Sequence, residues 1–214
     1  MQDARIDQDA RIDLVCWDWN GTLLDDVEIC RRTMNDVLRS RGRAGISTVA
    51  EYRRRFHFPI RAFYASVGIQ DEDFVDAADE YLALLTERMP SARLHQDAAS
   101  TLDAVAERGI RQILASATIS TILEHQMAPH GIARRFESVL GIDDAHDASK
   151  EEVISQWVAA SDVEPERVLM IGDTNHDRDI AERIGARFVH YSGGHQELSA
   201  PGAIDELAEL LTLL

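Results

Sequence analysis

The sequence predicts a three-layer α/β fold, in which a parallel sheet lies between helices and an all-helical insert follows the first strand. Three observations support this prediction. Apolar runs of strand length alternate with helical patterns through the second half of the chain, as in parallel sheets covered on both faces. A long stretch with only helical periodicity separates the first strand from the second. The 214 residues are enough for one well-buried domain with such an insert.

The strands of the core are predicted from five apolar runs, at residues 14–17, 112–115, 138–140, 168–171 and 188–190. Helical patterns lie between the later runs, near residues 119–130, 149–160 and 175–184. Each of these patterns ends close to a glycine or a turn. Strands that alternate with helices in this way form a Rossmann-like core, with helices on both faces of the sheet.

Helical periodicity also fills the stretch from about residue 26 to residue 93, where no convincing strand is predicted. The sequence signals there are Asp25 and Asp26 as caps, Gly42 as a stop, Pro59 and Gly68 at the two ends of a further helix, and a last helix over residues 71–89. This insert begins at the carboxyl edge of the sheet, where open α/β sheets bind their ligands. We therefore expect a lid over a site, with a purely structural appendage as the alternative.

These patterns divide the chain into three parts. Residues 1–10 are predicted to be a loose extension, because the hexapeptide of residues 2–7 is repeated directly over residues 8–13 and is polar. Residues 11–25 and 94–214 form the predicted α/β core. Residues 26–93 form the predicted helical cap.

The composition narrows the class of partner. A formal net charge of −16 argues against nucleic acid or an anionic membrane, because phosphates would be repelled. No apolar run is long enough to span a bilayer, and the N-terminus lacks a signal-peptide pattern. Cys16 and Cys30 lie in apolar patterns and resemble small core residues more than a disulfide pair. We therefore expect a cytoplasmic protein with a small-molecule partner; its oligomeric state stays open.

Polar residues follow three of the predicted strands. Asp18 follows the first strand, Ser116 the second and Asp173 the fourth. Because parallel strands end at one edge of a sheet, we expect these residues to converge. Carboxylates gathered at one edge repel each other unless a cation is bound, and such hard oxygen ligands favour Mg²⁺, which commonly takes one or two carboxylates together with a substrate phosphate.

Lys150, at the start of a predicted helix, is the single lysine in a chain with 21 arginines. A compact ammonium differs in kind from a planar guanidinium, so its retention indicates a site that needs a point charge. Chance retention on an exposed helix start is the alternative. Beside Asp18 and Ser116, Lys150 would complete a cradle for a phosphoryl group above a nucleophilic carboxylate.

These residues resemble the motifs of haloacid-dehalogenase-superfamily hydrolases, in particular the phosphoglycolate-phosphatase-like branch with a helical cap. The motifs are Asp18-x-x-Gly21-Thr22-Leu23, Ser116, Lys150 and Gly172-Asp173-Thr174-x-x-Asp177, in the order of the family. The resemblance implies that Asp18 is the nucleophile and that Mg²⁺ is held by Asp18, the main-chain carbonyl of Asn20, Asp173 and Asp177. It further implies a phosphate-binding set of Gly21, Thr22, Ser116, Ala117, Lys150 and, from the cap, His57. The expected substrate is a small phosphorylated metabolite.

The chain departs from this family at Asn20. Phosphatases of the family usually carry an aspartate there, which protonates the leaving alcohol and then deprotonates the attacking water. An amide cannot exchange a proton near neutral pH, and positioned acid–base groups contribute about 10²- to 10⁴-fold. We therefore expect a slow or selective phosphatase. His57 or His176 could supply the proton, although surface or packing roles are the more ordinary interpretation of both.

Two further motifs lie close to the predicted site or on the predicted cap. Arg53, Arg54 and Arg55 form a basic run that is either a solvated face or a site for a second anionic group of the substrate. Trp17 and Trp19 flank Asp18 and, by strand alternation, are predicted to pack in the core.

Alternative functions remain open at this level. A regulatory protein that binds a ligand without turnover is the main alternative, supported by Asn20 alone. A phosphonatase-like reaction would need a lysine on the cap, and a dehalogenase would not need the Gly172-Asp173-Thr174-x-x-Asp177 motif. A phosphomutase would need the acid–base step that Asn20 lacks.

Overall fold

The computed structural model describes residues 11–143 and 149–214. In chain order its elements are β1 Leu14–Asp18, β2 Leu24–Asp25, α1 Val27–Ser40, α2 Val49–Arg55, α3 Ile60–Ser66, α4 Asp71–Arg88, β3 Arg93–Leu94, α5 Ala98–Glu107, β4 Arg111–Ile119, α6 Ser120–Met127, β5 Ser138–Ile142, α7 Lys150–Ala160, β6 Val168–Gly172, α8 Asn175–Ile184 and β7 Arg187–His190, with short 3₁₀ turns between some of them and a longer one over Leu207–Thr212. The repeated segment proposed as a loose extension, residues 1–10, lies outside the described residues.

Five strands form one parallel sheet in the order β5-β4-β1-β6-β7. Each of the five predicted apolar runs falls within one of these strands, so the predicted α/β fold with a parallel sheet is confirmed. β1 is central and pairs with β4 on one side and β6 on the other. Because it is buried on both faces, it reads as an unbroken apolar run that ends in Asp18.

Two hydrophobic clusters cover the two faces of the sheet. Val15 and Trp17 of β1 pack with α5, α6 and the last 3₁₀ turn. Leu14 and Cys16, which alternate with them, pack with α7 and α8 on the opposite face. Trp19 joins the first cluster as well, so both tryptophans beside Asp18 are core residues, as strand alternation predicts.

The strand β4 is irregular where it reaches the carboxyl edge. Its register with β5 shifts between Ala115 and Ile119, so that residues 116–118 bulge out of the ladder. Ser116 therefore lies within an interrupted strand, whereas the sequence predicted it just after the strand. A Cβ on Gly141 would lie 2.8 Å from the carbonyl oxygen of Thr118, which makes glycine necessary opposite this bulge. Bulges of this kind redirect side chains and are frequent beside active sites.

The helices α1 to α4 form the insert and share a third hydrophobic cluster, which includes Val37, Tyr52, Phe63 and Ala77. α1, α3 and α4 correspond to the predicted helices, and α2 begins after Thr48, whose side chain accepts a hydrogen bond from the Glu51 N–H. The prediction that this stretch contains no strand was wrong at its end. The two-residue strands β2 and β3 pair antiparallel where the chain leaves the core and returns to it.

Two further observations concern the interior and the surface. Cys16 and Cys30 are buried and free of any disulfide. Within residues 11–143 and 149–214, no helix combines the length and the apolar character that crossing a membrane requires.

Candidate active site

The carboxyl edge of the sheet gathers three buried aspartates around one lysine. Carboxyl oxygens of Asp18, Asp173 and Asp177 lie within 4.8 Å of one another. Asp18 ends the central strand, Asp173 follows β6, and Asp177 lies in the first turn of α8. Lys150 is the first residue of α7 and is only 3% exposed. The structure therefore brings together side chains that are more than 150 residues apart in the sequence, at the edge where the sequence placed them.

Lys150 is held by two carboxylates. Its Nζ donates hydrogen bonds to Asp18 Oδ1 and, at 2.6 Å, to Asp177 Oδ1. The N-terminal end of a helix carries a partial positive charge, so a lysine there is unfavourable unless acids compensate it. Burial alone would lower the pKa of Lys150, but Asp177 and Asp18 raise it above its ordinary value. Lys150 is thus a fixed cation beneath the site.

The aspartates themselves are electrostatically strained without a further cation. Burial, reinforced by the charge of Asp177, raises the pKa of Asp18 to about 6 although Lys150 opposes the change. Burial also raises the pKa of Asp173 well above its ordinary value, against the attraction of His195. With all three carboxylates ionised, they and the one ammonium carry a net charge of −2, which a divalent cation would offset. The oxygen donor set therefore fits Mg²⁺.

Asp177 already has partners for both of its oxygens. Oδ2 accepts from the N–H of Thr174, at 3.1 Å, and from the Thr174 hydroxyl, while Oδ1 accepts from Lys150. Thr174 and Asp177 form a capping box at the start of α8. Burial would raise the pKa of Asp177, but Lys150 lowers it. Asp177 is therefore anchored as a carboxylate behind Asp18 and Asp173.

Gly21 and Thr22 contact Asp173, which differs from the prediction that they bind phosphate. The Gly21 N–H donates to the Leu24 carbonyl at 3.0 Å, so the turn itself uses this donor. Gly21 has a φ of +80°, and a Cβ there would lie 2.3 Å from Asp173 Oδ2. The Thr22 hydroxyl is fully buried and faces Asp173 Oδ1 at 3.4 Å. The turn therefore places these residues against the aspartate, and their role in phosphate binding stays a prediction.

A chain of hydrogen bonds leads from Ser116 to Asn20. The Ser116 hydroxyl donates to Thr118 Oγ1 at 2.9 Å, and Thr118 Oγ1 donates to Asn20 Oδ1 at 3.2 Å. Ser116 is buried and lines the cavity described below, as does Ala117, which is exposed. The bulge in β4 thus places the Ser116 hydroxyl beside Asn20 at the same edge.

Beyond Asn20 the chain continues to a buried pair that the sequence did not reveal. Asn20 Nδ2 donates to Asp26 Oδ2 at 2.9 Å, and the His195 ring nitrogen Nε2 lies 3.0 Å from Asp26 Oδ1. The other ring nitrogen of His195 lies 3.1 Å from the Tyr52 hydroxyl on α2. Asp26 precedes α1 as predicted, but its side chain makes no cap hydrogen bond because these partners hold it.

The Asp26–His195 pair is ionic. Burial would lower the pKa of His195, but the nearby Asp26 carboxylate raises it to about 9. Burial would raise the pKa of Asp26, but His195 and the Asn20 amide lower it. The main-chain N–H of His195 also donates to Asp173 Oδ2. His195 therefore contacts Asp173 of the site, Asp26 behind Asn20, and Tyr52 of the helical insert.

The two histidines proposed from the sequence lie in different places. His57 Nδ1 lies 2.7 Å from the Arg55 carbonyl, and His57 is absent from the described lining of the cavity, so its predicted role in phosphate binding has no support in the structure. His176 does line the cavity and stacks on Phe58 with ring centroids 4.8 Å apart. Burial lowers its pKa. Of the two, only His176 is among the described residues that line the cavity.

A cavity of about 630 Å³ lies between the sheet edge and the insert. Its floor is formed by Asp18, Asn20, Ser116, Lys150 and Asp173, and its other walls come mainly from apolar side chains of α2, α4, α6 and the segments that follow them. Asn175 fixes one wall to the floor, because its side chain accepts from the Phe58 N–H at 3.0 Å and donates to the Phe58 carbonyl at 3.2 Å. The arrangement is suited to a phosphoryl group on the floor and an organic group above it.

Comparison with known proteins identifies the family of the chain. A family model described as haloacid dehalogenase-like hydrolase matches residues 15–191, which is most of the chain. A protein named phosphoglycolate phosphatase from Vibrio vulnificus is 27% identical over 223 aligned positions, with 95% of this chain and 96% of that protein covered.

Solved structures show the same fold at lower identity. A haloacid dehalogenase-like hydrolase from Streptococcus pneumoniae superposes with a TM-score of 0.78 at 17% identity, covering 94% of this chain and 97% of its own. The protein named tyrosine kinase A from Mycobacterium tuberculosis superposes with a TM-score of 0.73 at 22% identity, covering 92% and 89%. Because proteins named for different reactions share this fold, the reaction has to be argued from the site.

Proposed function

The chain belongs to the haloacid dehalogenase-like hydrolases, and from this premise we propose that it is a magnesium-dependent phosphatase of small phosphorylated metabolites. The observation that carries the proposal is the contact of Lys150 with Asp18, beside Asp173 and beneath the cavity. The similarity to a phosphoglycolate phosphatase over nearly the whole chain supports the same class of reaction. We further propose that residues 26–93 act as a cap that encloses the organic part of the substrate.

Asp18 is the proposed nucleophile. Its free carboxylate oxygen attacks the phosphorus atom, the bond from phosphorus to the alcohol oxygen breaks, and the leaving oxygen takes a proton from water. Water then attacks the phosphorus of the aspartyl-phosphate, which releases inorganic phosphate and restores the Asp18 carboxylate. Lys150 holds the other oxygen of Asp18 and so fixes the direction of attack. The Ser116 hydroxyl, once turned away from Thr118, is the proposed hydrogen-bond donor to a phosphoryl oxygen.

Asp18, Asp173 and the main-chain carbonyl of Asn20 are the proposed ligands of Mg²⁺, with Asp177 behind them. The bound cation would supply positive charge that allows an anionic carboxylate and an anionic phosphoryl group to approach each other. The side chain of Asn20 is not needed as a metal ligand, because the main-chain carbonyl takes that role. It is instead hydrogen-bonded to Asp26 and Thr118.

Asn20 sets the expected range of substrates. Its amide cannot deliver a proton to the leaving oxygen, so esters of poorly acidic alcohols should react slowly. The transition state of phosphoryl transfer is loose, so a good leaving group needs little protonation. We therefore propose a selective enzyme, with activated esters hydrolysed best.

The test is phosphate release from a panel of phosphomonoesters that includes p-nitrophenyl phosphate. We expect turnover that disappears with a chelator and returns when Mg²⁺ is added. Absence of magnesium-dependent release from every member of the panel would contradict the proposal. A ligand-binding protein without turnover, which Asn20 alone suggests, would then be the better interpretation.

A further inference from the structure

We propose that this phosphatase acts on monoesters of uncharged, largely apolar alcohols, such as aryl or alkyl groups, and discriminates against esters that carry a second anion. The inference rests on the proposed function and concerns the same cavity. It is carried by the side chains that surround the space above the phosphoryl site and by the positions of the arginines of the insert.

The upper part of the cavity is apolar on both sides. From the insert, Phe56, Phe58 and the α4 residues Leu82 and Leu85 line it, and from the core Ile119 and Ile122 do. The polar side chains on the core side, such as Gln126 and His130, carry no formal charge when histidine is neutral. Gln126 already accepts a hydrogen bond from the Trp19 indole. These walls offer contact to an apolar group and few free hydrogen-bonding partners.

Among the described residues that line the cavity, no cation is free to pair with a second anion. Lys150 is the only lysine or arginine among them and is held by two aspartates, and the charged His195 ring is paired with Asp26. A carboxylate on the organic group of the substrate would lose water without gaining a counter-charge, and the aspartates of the floor would repel it. Burying an unpaired charge is strongly unfavourable. The cavity therefore selects against such esters.

The basic run on α2 does not supply the missing cation. Arg53 donates to the carbonyls of Gly193 and, at 2.7 Å, of Gly194. Arg54 is exposed, and Arg55 is exposed and donates to the Ser66 carbonyl at 2.8 Å. These arginines are absent from the described lining of the cavity. The interpretation of the run as a site for a second anionic group therefore has no support in the structure, and Arg53 instead joins the insert to the core.

Two large aliphatic side chains at the rim remain open to solvent. Leu82 on α4 is 58% exposed and Ile122 on α6 is 43% exposed, and both border the cavity from opposite sides. Exposed apolar area at the mouth of a cavity is area that an apolar ligand can cover. A small dianion bound at the floor would leave this apolar surface exposed to solvent.

The first experiment compares phenyl phosphate with 4-carboxyphenyl phosphate at about pH 8, where ordinary histidines are neutral. The carboxylate makes the phenol a slightly better leaving group, so intrinsic reactivity favours the charged ester. We nevertheless expect kcat/KM to be at least about tenfold higher for phenyl phosphate, because only the charged ester buries an unpaired carboxylate. Equal or better turnover of the carboxylate ester, or of phosphoglycolate, would overturn the inference.

The second experiment adds a cation at the rim. Leu82→Arg places a guanidinium beside the cavity and should lower the preference for the uncharged ester by about tenfold, as expected for a new ion pair in a partly desolvated site. Val75→Arg is the matched control, because Val75 lies two turns earlier on α4, is also 58% exposed, and is absent from the described lining. The control should leave the preference unchanged. Equal effects of the two substitutions would contradict the inference.

Binding separates this inference from the proposed function. Calorimetry with the Asp18→Asn variant should show phenyl phosphate bound at least about tenfold more tightly than 4-carboxyphenyl phosphate. If no ester is hydrolysed but this preference in binding holds, the proposed reaction fails and the ligand class stands. If esters are hydrolysed without any preference, the reaction stands and the ligand class fails.

Discussion

The floor and the roof of the cavity are built by different physical means. The floor consists of charged and polar side chains at the ends of buried strands and the starts of helices, held by hydrogen bonds to one another and to their neighbours. The roof consists of apolar side chains on the insert, held by packing and partly open to solvent. In the proposed function the floor fixes the reaction, because its geometry leaves little freedom, and the roof selects the organic group of the substrate.

This difference gives a way to separate the two regions by measurement. In the proposed mode of binding, inorganic phosphate contacts only the floor, whereas the organic part of an ester contacts the roof. Variants of the floor should change both the inhibition constant of phosphate and the turnover of esters. Variants of the roof should change the KM of esters and leave phosphate inhibition as it is.

The largest expected effect is that of Asp18→Asn. The attacking oxygen loses its charge, so kcat should fall by more than about 10⁴-fold, the scale seen when a covalent nucleophile is removed. The fold should be retained, because Lys150 keeps its contact with Asp177. Phosphate release and circular dichroism measure the two properties. Retained activity would mean that another residue is the nucleophile.

Lys150 comes next, and two substitutions separate its charge from its shape. Lys150→Arg keeps the charge, but a planar guanidinium does not fit where one nitrogen contacts two carboxylates, so kcat/KM should fall by at least about 10²-fold. Lys150→Met leaves two buried carboxylates without a cation and should lower the free energy of unfolding by about 3–5 kcal/mol.

The control for Lys150 is Glu151→Gln on the same helix. It removes an exposed ion pair with Arg183 and should cost less than about 1 kcal/mol. Urea unfolding and steady-state kinetics measure these effects. A near-normal rate for the arginine variant would make Lys150 an ordinary structural lysine.

Asp173→Asn tests the binding of the cation without relying on turnover. Mg²⁺ at 100 times its dissociation constant should stabilise the wild type by about 2.7 kcal/mol. The variant loses one anionic ligand, so the shift in melting temperature caused by Mg²⁺ should be less than half as large. The fold should tolerate the change, because an amide oxygen can still accept the His195 N–H. An unchanged shift would place the cation elsewhere.

The same contrast explains which parts of the molecule could be predicted from sequence. The strands of the core are apolar runs, and parallel strands share one edge, so Asp18, Ser116 and Asp173 could be brought together by topology alone. Lys150 was recognisable because it is the only lysine in the chain. Each of these signals can be recognised from a few neighbouring residues or from the composition, and together they identify residues that are distant in the sequence and close in the fold.

Other residues gave no such signal. His195 lies in a turn after the last strand, and its contacts with Asp26, Tyr52 and Asp173 depend on how the insert packs on the core. The family resemblance assigned Gly21 to phosphate binding, whereas the Gly21 N–H donates to the Leu24 carbonyl. The separation of the basic run from the cavity likewise depends on packing. The sequence therefore predicted the helices of the insert, but the contacts of their side chains with the core could be read only from the structure.

Asn20 and Asp26 provide a test of one contact that sequence reasoning missed. Asn20→Asp alone would face the Asp26 carboxylate across 2.9 Å and should destabilise the protein by about 1–3 kcal/mol. The double variant Asn20→Asp/Asp26→Asn reverses donor and acceptor at this contact but removes the counter-charge of His195, so it should recover only part of this stability. It should also hydrolyse alkyl phosphates at least about tenfold faster than the wild type, because an acid–base group is restored. A single variant as stable and as active as the double one would show that the contact is unimportant.

The smallest effect is expected where the roof meets the floor. Asn175→Ala removes both hydrogen bonds to the backbone of Phe58 and should cost about 1–2 kcal/mol of stability. Phe58 would then lose its fixed position over His176, so the KM of phenyl phosphate should rise by about threefold to tenfold. Inhibition by inorganic phosphate should not change, because the floor is intact. If the inhibition constant of phosphate rose together with the KM, the substitution would have disturbed the floor as well as the roof. The two regions would then not act independently in catalysis and substrate selection.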